Sequence, residues 1–362
     1  MRQRPARRQP GNAPREEPAG EVMTTHHQDA AAHVVIAPKE LESFGAGESF
    51  SSISAALLSQ QRETWPLLRS GYAGLESVQT RSFGIDGCVV KVQFNPGRIT
   101  SSAAKVDEKS IRERRCFLCL AHLPAEQRGV AFGDSYVILC NPFPIFPEHF
   151  TIPHREHIPQ RIDGSFDVLL DLAKAMAGRY TLFYNGPRCG ASAPDHLHFQ
   201  AGLKGFMPVD TEYPEIIRRN GRLLKESDEY RVLAVDGCLR RFIALESSSR
   251  PILEREFAGL LSRLSGILSD KEEPMLNILA SYEKEWRVLV FPRAKHRPSF
   301  FFAEEHERIL ISPAAVDLGG VCITPLERDF QRLTRDHITG MFQEVSLGKR
   351  EFEELARSAD HW

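Results

Sequence analysis

The sequence predicts an α+β fold in which antiparallel sheets are flanked by helices and the chain is built as two related halves. Three observations carry this. HLHFQ at 196–200 alternates polar and apolar residues, the period of a strand that has one face on a core. VQTRSFGIDGCVVKVQFNP at 78–96 reads as two strands joined by Asp86-Gly87, a pair suited to a tight hairpin turn. NPFPIFPEHFTIPHREH and NILASYEKEWRVLVFPRAKH both open on Asn and close on Pro-x-x-x-His after a β-rich run, a faint internal repeat.

Taken in order, residues 1–33 are rich in Arg, Pro, Gly and Ala and poor in large apolar residues, so they read as a disordered tail. The tail lacks the apolar stretch of a signal peptide, and Met23 is an alternative start. Residues 34–205 form the first half. SISAALLSQQRETWPLLRSGYAGL reads as a helix and a turn; the hairpin follows, then a polar, basic connection, GRITSSAAKVDEKSIRERR. SYVILCN and HFTIPHREH read as strands, SFDVLLDLAKAMAGR as a helix, and YTLFYNG as a strand entering a glycine-rich approach to HLHFQ. Residues 206–362 form the second half. There YPEIIRRNGRLLKE reads as a helix, RVLAVDGCLRRFIALES as strands, and ILEREFAGLLSRLSGILS as an amphipathic helix. MLNILASYEKEWRVLVFPRAKH and RILISPAAVDLGGVCITP precede a final pair of helices. Arg293 and Lys295 of FPRAKH read as a solvated rim rather than as phosphate ligands.

A net charge of -2 gives no general pull toward nucleic acid or acidic membranes, and no stretch reaches the ~18–20 apolar residues of a span. The seven cysteines are an odd, scattered set, unlike a disulfide framework, which points to a reducing, cytoplasmic setting. Cys116 and Cys119, as CFLC, have the spacing by which one turn offers two thiolates to a metal. A redox pair is the competing reading, but the charged RERR before Cys116 makes a poor strand for it. A zinc finger would need its histidines close by. What remains is a zinc site assembled from distant segments, with two of His149, His154, His157, His196 and His198 completing it.

NGPRCGASAPDHLHFQ resembles the active-site motif of the histidine-triad superfamily in its transferase branch, whose mark is H-x-H-x-Q. That branch includes galactose-1-phosphate uridylyltransferase, the diadenosine tetraphosphate phosphorylases and the GDP-hexose phosphorylases. GAS before HLHFQ resembles the second group; HLHFQA and QFNPGR resemble the third. FPEHFTIPHREH is similar to the superfamily's preceding strand pair. The resemblance implies a histidine-triad-like fold and a nucleotidyl-histidine mechanism on an NDP-sugar, GDP-hexose-like, with phosphate as acceptor. A dinucleoside polyphosphate phosphorylase or hydrolase is the alternative, and a non-enzymatic metal- or nucleotide-binding protein a further one. It implies His198 as nucleophile, Gln200 as phosphoryl ligand, and Asn185, Gly190, Ser192, Asn95 and Arg98 as substrate contacts. It makes Cys116, Cys119, His157 and His196 ligands of a structural zinc. Partners would be these small molecules, with no nucleic acid and no membrane; the sequence does not state an oligomeric state.

Overall fold

The computed structural model describes residues 34–99, 107–269 and 272–362, so the tail at 1–33 lies outside the described residues. The described residues form thirteen strands: β1 (Gln79–Ile85), β2 (Cys88–Phe94), β3 (Gly129–Phe132), β4 (Tyr136–Cys140), β5 (His149–Pro153), β6 (Tyr180–Asn185), β7 (His198–Leu203), β8 (Gly221–Glu226), β9 (Tyr230–Gly237), β10 (Arg240–Ser247), β11 (Leu276–Tyr282), β12 (Trp286–Pro292) and β13 (Val321–Thr324). Ten of them form one sheet in the order β3-β4-β5-β7-β6-β11-β12-β10-β9-β8. The other three form a small sheet, β1-β2-β13, in which β13 runs parallel to β2.

The large sheet is two copies of one pattern. β3-β4-β5-β7-β6 and β8-β9-β10-β12-β11 have the same internal order and meet where β6 pairs antiparallel with β11. Each copy inserts a helix before its last two strands, Phe166–Ala175 in the first and Arg250–Leu268 in the second. These helices touch through Phe166 and Phe257, whose rings stack 3.8 Å apart. The repeat is real, but its register differs from the sequence reading. By strand order β11 and β12 answer to β6 and β7, not to the segment around β5, because both alignable runs share only generic β composition. β12, WRVLVFP, answers to β7 and carries no histidine.

The sheet is buried on both faces. Leu197 and Phe199 point into a core shared with the two inserted helices. Phe183, Leu279 and Leu289 point the other way, into a core shared with β2, β13 and the helix Pro208–Asn220. The hairpin forms as expected, with Asp86 and Gly87 both at positive φ, 50° and 80°. Trp65-Pro66 splits the first predicted helix into Phe50–Thr64 and Pro66–Gly74, since a proline cannot continue the ladder behind it. GRLLKE is strand β8 rather than helix; the preceding helix ends at Asn220. The C-terminal pair is three helices, Glu327–Arg332, Arg335–Val345 and Lys349–Arg357.

Two expectations about cysteine and charge are corrected. Cys88 and Cys238 form a disulfide that ties the hairpin to the turn between β9 and β10, so the cysteines are not all unpaired. Their separation of 150 residues leaves no pattern to read. Arg293 is not on a rim. It is 1% exposed and donates to the carbonyls of Val345, Pro313, Lys295 and His296 and to Asn277 Oδ1. No helix among the described residues is long and apolar enough to cross a membrane.

Candidate active site and metal cluster

β7 begins at His198, so His196 lies in the turn before the strand rather than on its face. That turn separates the two histidines. His196 Nδ1 lies 3.3 Å from Cys116 Sγ and 3.7 Å from Cys119 Sγ, while His157 Nδ1 is 3.2 Å from Cys119 Sγ. Potential ligand atoms of all four residues fall within 4.8 Å of one another, a cluster that could hold a metal ion. The outer contacts suit one. His196 Nε2 donates to the His154 carbonyl at 2.7 Å, which leaves Nδ1 unprotonated and facing the sulfurs. On the far side of His157, Nε2 is 3.6 Å from Asp195, which Arg114 also holds. Burial and the adjacent Cys116 sulfur push the Cys119 thiol up to about 12. As thiolates side by side, the two sulfurs would need a cation, which a metal bound in this cluster would supply.

His198 is 3% exposed. Its Nδ1 is 2.8 Å from the carbonyl of His196, an acceptor, so the ring proton sits on Nδ1 and Nε2 keeps its lone pair. Burial pushes its pKa down to about 4, so the imidazole is neutral at pH 7. The backbone around it is held by Gln160, which the sequence reading missed. The His198 N–H donates to Gln160 Oε1 at 2.8 Å, and Gln160 Nε2 donates to the carbonyls of Asn185 and His198 at 2.9 and 3.1 Å. Opposite His198 in the ladder stands Pro153, which has no N–H to give.

Gln200 pairs across β7 with Thr151 and Phe183. Its Oε1 lies 3.1 Å from His149 Nε2, and His149 Nδ1 accepts from the Ile145 N–H at 3.2 Å. His149 is therefore a neutral donor that fixes Gln200 with its NH2 group directed away; burial lowers its pKa to about 3. As a candidate metal ligand it is ruled out by that engagement. Its alternation with Gln200 across two paired strands was invisible without the register.

Asn185 ends β6 beside His198. Its Oδ1 accepts from Asn277 Nδ2 at 2.8 Å and from the Ala315 N–H at 2.9 Å, leaving Nδ2 as its donor group. Asn277 stands opposite Asn185 in the ladder that joins the halves, and Arg293 grips Asn277 in turn. The second half thus orients a first-half site residue. Gly190 has φ +96°, and a Cβ there would meet Ala314 at 2.7 Å, so only glycine lets this loop close on the second half. Ser192 is half-buried in the same loop. Asn95 is buried, its Nδ2 held by Gln93 and the Pro144 carbonyl. Arg98 donates to the Phe143 carbonyl at 2.8 Å, and its buried Nε has no hydrogen-bond partner among the described residues. Its charge helps depress His149, which puts it on the Gln200 side of the site. Burial lowers Arg98 to about 10, still a cation at neutral pH.

Residues 57–203 match the family model "Domain of unknown function (DUF4922)", and residues 222–359 match the model "GDPGP1-like, C-terminal domain". Among solved structures, the chain is similar to yeast Ap4A phosphorylase Apa2. The complex with AMP is 16% identical with a TM-score of 0.52, covering 81% of this chain and 97% of that one. The complex with Ap4A is 18% identical with the same TM-score, covering 80% and 97%. The likeness is one of fold, an α+β, histidine-triad-like arrangement in two halves. No curated protein sequence matches it at a significant level. In this histidine-triad fold the two halves share one sheet, and the motif HLHFQ lies in the half that keeps the histidines.

Proposed function

We propose that the protein is a nucleotidyl-transferring phosphorylase that works through a nucleotidyl-histidine on His198. One observation carries this: a buried, neutral imidazole is locked by the His196 carbonyl in the tautomer that leaves Nε2 free, beside an amide donor locked by His149. Such an imidazole is a ready nucleophile at neutral pH, because no proton has to be removed before attack. Nε2 attacks the α-phosphorus, the bond from that phosphorus to the bridging oxygen breaks, and the phosphorylated remainder leaves with the bridging electron pair. The Nδ1 proton stays in place, and the His196 carbonyl stabilises the cationic ring. Inorganic phosphate then attacks the same phosphorus, the P–N bond breaks, and the ring returns to neutral as a nucleoside diphosphate departs. Gln200 and Asn185 donate to the phosphoryl oxygens in both steps without acting as acids. The phosphate leaving group is stable as an anion, so no third histidine is required. Arg98 supplies positive charge on the Gln200 side, and the Gly190–Ser192 loop allows close approach of backbone N–H groups. Asn95 supports that side by fixing the end of β2.

For the donor we favour an NDP-sugar of the GDP-hexose type, on the match of residues 222–359 to the GDPGP1-like domain. The second reading, a dinucleoside polyphosphate, rests on the likeness in fold to a protein solved with Ap4A. The division into halves at 34–205 and 206–362 is supported by the two strand patterns and by the two matched segments. For the metal we favour zinc: two sulfurs and two imidazoles suit it, and Cys116, Cys119, His157 and His196 would hold it. It would neutralise the thiolates and pin the turn before His198. A cytosolic workplace is favoured by the five unpaired cysteines, two of them in this cluster, and disfavoured by the Cys88–Cys238 disulfide.

The test is to incubate the protein with GDP-hexose or Ap4A and no acceptor, then map the modified peptide. A nucleotidyl group on His198 that is discharged by phosphate as a nucleoside diphosphate is expected. Absence of any adduct with either donor class would overturn the reading.

A further inference from the structure

A cavity of about 500 Å³ opens beside the junction of the two halves. Its wall holds Arg188, Met275, Lys295, His296, Arg297 and Phe302, with no acidic residue among the described residues that line it. Arg188 belongs to the glycine-rich loop that leads to His198, and Met275 lies two residues before Asn277. β6 separates β7 from β11, so Asn277 is about 10 Å across the sheet from His198. The size is that of a small-molecule site.

The cations are placed with a purpose. Arg188 is anchored by the Glu273 carbonyl at 2.9 Å and lies 3.7 Å from Glu272. Arg297 is braced by Ser312 Oγ at 2.9 Å and lies 4.2 Å over the Phe301 ring. Lys295 reaches Glu344, with both side chains partly in solvent. Phe302 is 71% exposed, an unusual state for phenylalanine and a ready stacking surface. Three cations around a roomy, open wall with an aromatic at the rim fit a phosphate anion carried by a ring-bearing group.

We infer that this cavity receives the phosphorylated half of the substrate that leaves His198, its phosphate held by Lys295 and Arg297 and its ring resting on Phe302. The inference rests on the phosphorylase reading for its place in the reaction, though not for the binding itself. Two sources share this chemistry: a hexose 1-phosphate from an NDP-sugar, or a nucleoside polyphosphate from a dinucleoside polyphosphate. The second half of the chain would then choose the leaving group while the first half performs the transfer.

The experiment titrates hexose 1-phosphate, and separately ATP with excess AMP present, into the full-length His198→Ala protein by calorimetry. The titrations are repeated with Lys295→Met plus Arg297→Gln added, and with the exposed Lys295→Met alone as a variant that should not disturb folding. Binding of one ligand weakened at least tenfold by the pair, and at least threefold by Lys295→Met, is expected. Which ligand responds names the source. Binding of both ligands unchanged by either variant, or no binding of either, overturns the inference. Adduct formation on His198 in the wild-type protein is measured alongside. If the adduct fails while charge-dependent binding persists, the phosphorylase reading falls and the cavity assignment stands.

Discussion

Replacing Gln160 with leucine should loosen the nucleophile without removing it. Gln160 is 1% exposed, and leucine is close to it in size, so the change is mainly the loss of polar atoms. Three hydrogen bonds disappear: one from the His198 N–H and two to the carbonyls of Asn185 and His198. Each is worth about 1 kcal/mol net, and more where a buried group is left unpaired. Partial relaxation of the strand end would recover some of this, giving about 2–3 kcal/mol less local stability. That corresponds to a roughly 30- to 150-fold rise in the opening equilibrium of the segment. Native-state hydrogen exchange on the peptide spanning 195–203 reads it directly, with peptides from β9 and β10 as the internal reference. The adduct rate on His198 should fall as well, because the ring hangs from the backbone that Gln160 holds. Exchange at 195–203 within threefold of wild type would refute the claim that Gln160 holds this strand end.

Freshly purified protein should contain about one zinc per chain by elemental analysis, and Cys116→Ser should lower its thermal midpoint and its metal content together. His198→Ala should abolish the adduct and keep the metal, whereas His196→Ala should lose the metal; the reverse pattern would exchange their assigned roles. Glu273 should make stability fall with rising pH. Burial pushes its pKa up to about 7, from an ordinary 4.5, despite donors from Ile162 and Tyr184. The folded state therefore binds an extra proton between about 4.5 and 7. Its contribution is complete below that window and lost as pH rises through it, at most about 3 kcal/mol. Urea midpoints from pH 5 to 8 should drop less for Glu273→Gln than for wild type; parallel curves would count against the shift.

Some of this protein was determined by local sequence alone. The period of two in HFQAGL, the Asp86-Gly87 turn and the amphipathic run at 252–268 each depend on neighbours within a few residues, so strand, hairpin and helix were legible. So were the chemical types at the site: two close thiols, histidines and a glutamine in alternation. Tertiary structure alone decided the partners. HLHFQ carries no sign that His196 would stay in the turn before a strand that begins only at His198, sending His196 to the sulfurs and His198 to the strand. Gln160 reaches His198 across 38 residues, His149 reaches Gln200 across 51, and Asn277 reaches Asn185 across 92. Cys88 finds Cys238 across 150. A hydrogen bond or disulfide of this kind leaves no period in the chain, because its geometry is set by how strands register after the sheet has formed. Arg293 shows the same limit most sharply. Read along the chain it is a cation near a strand end; in the folded protein five acceptors of the second half surround it, and burial lowers its pKa while it holds Asn277, which in turn donates to Asn185 of the first half.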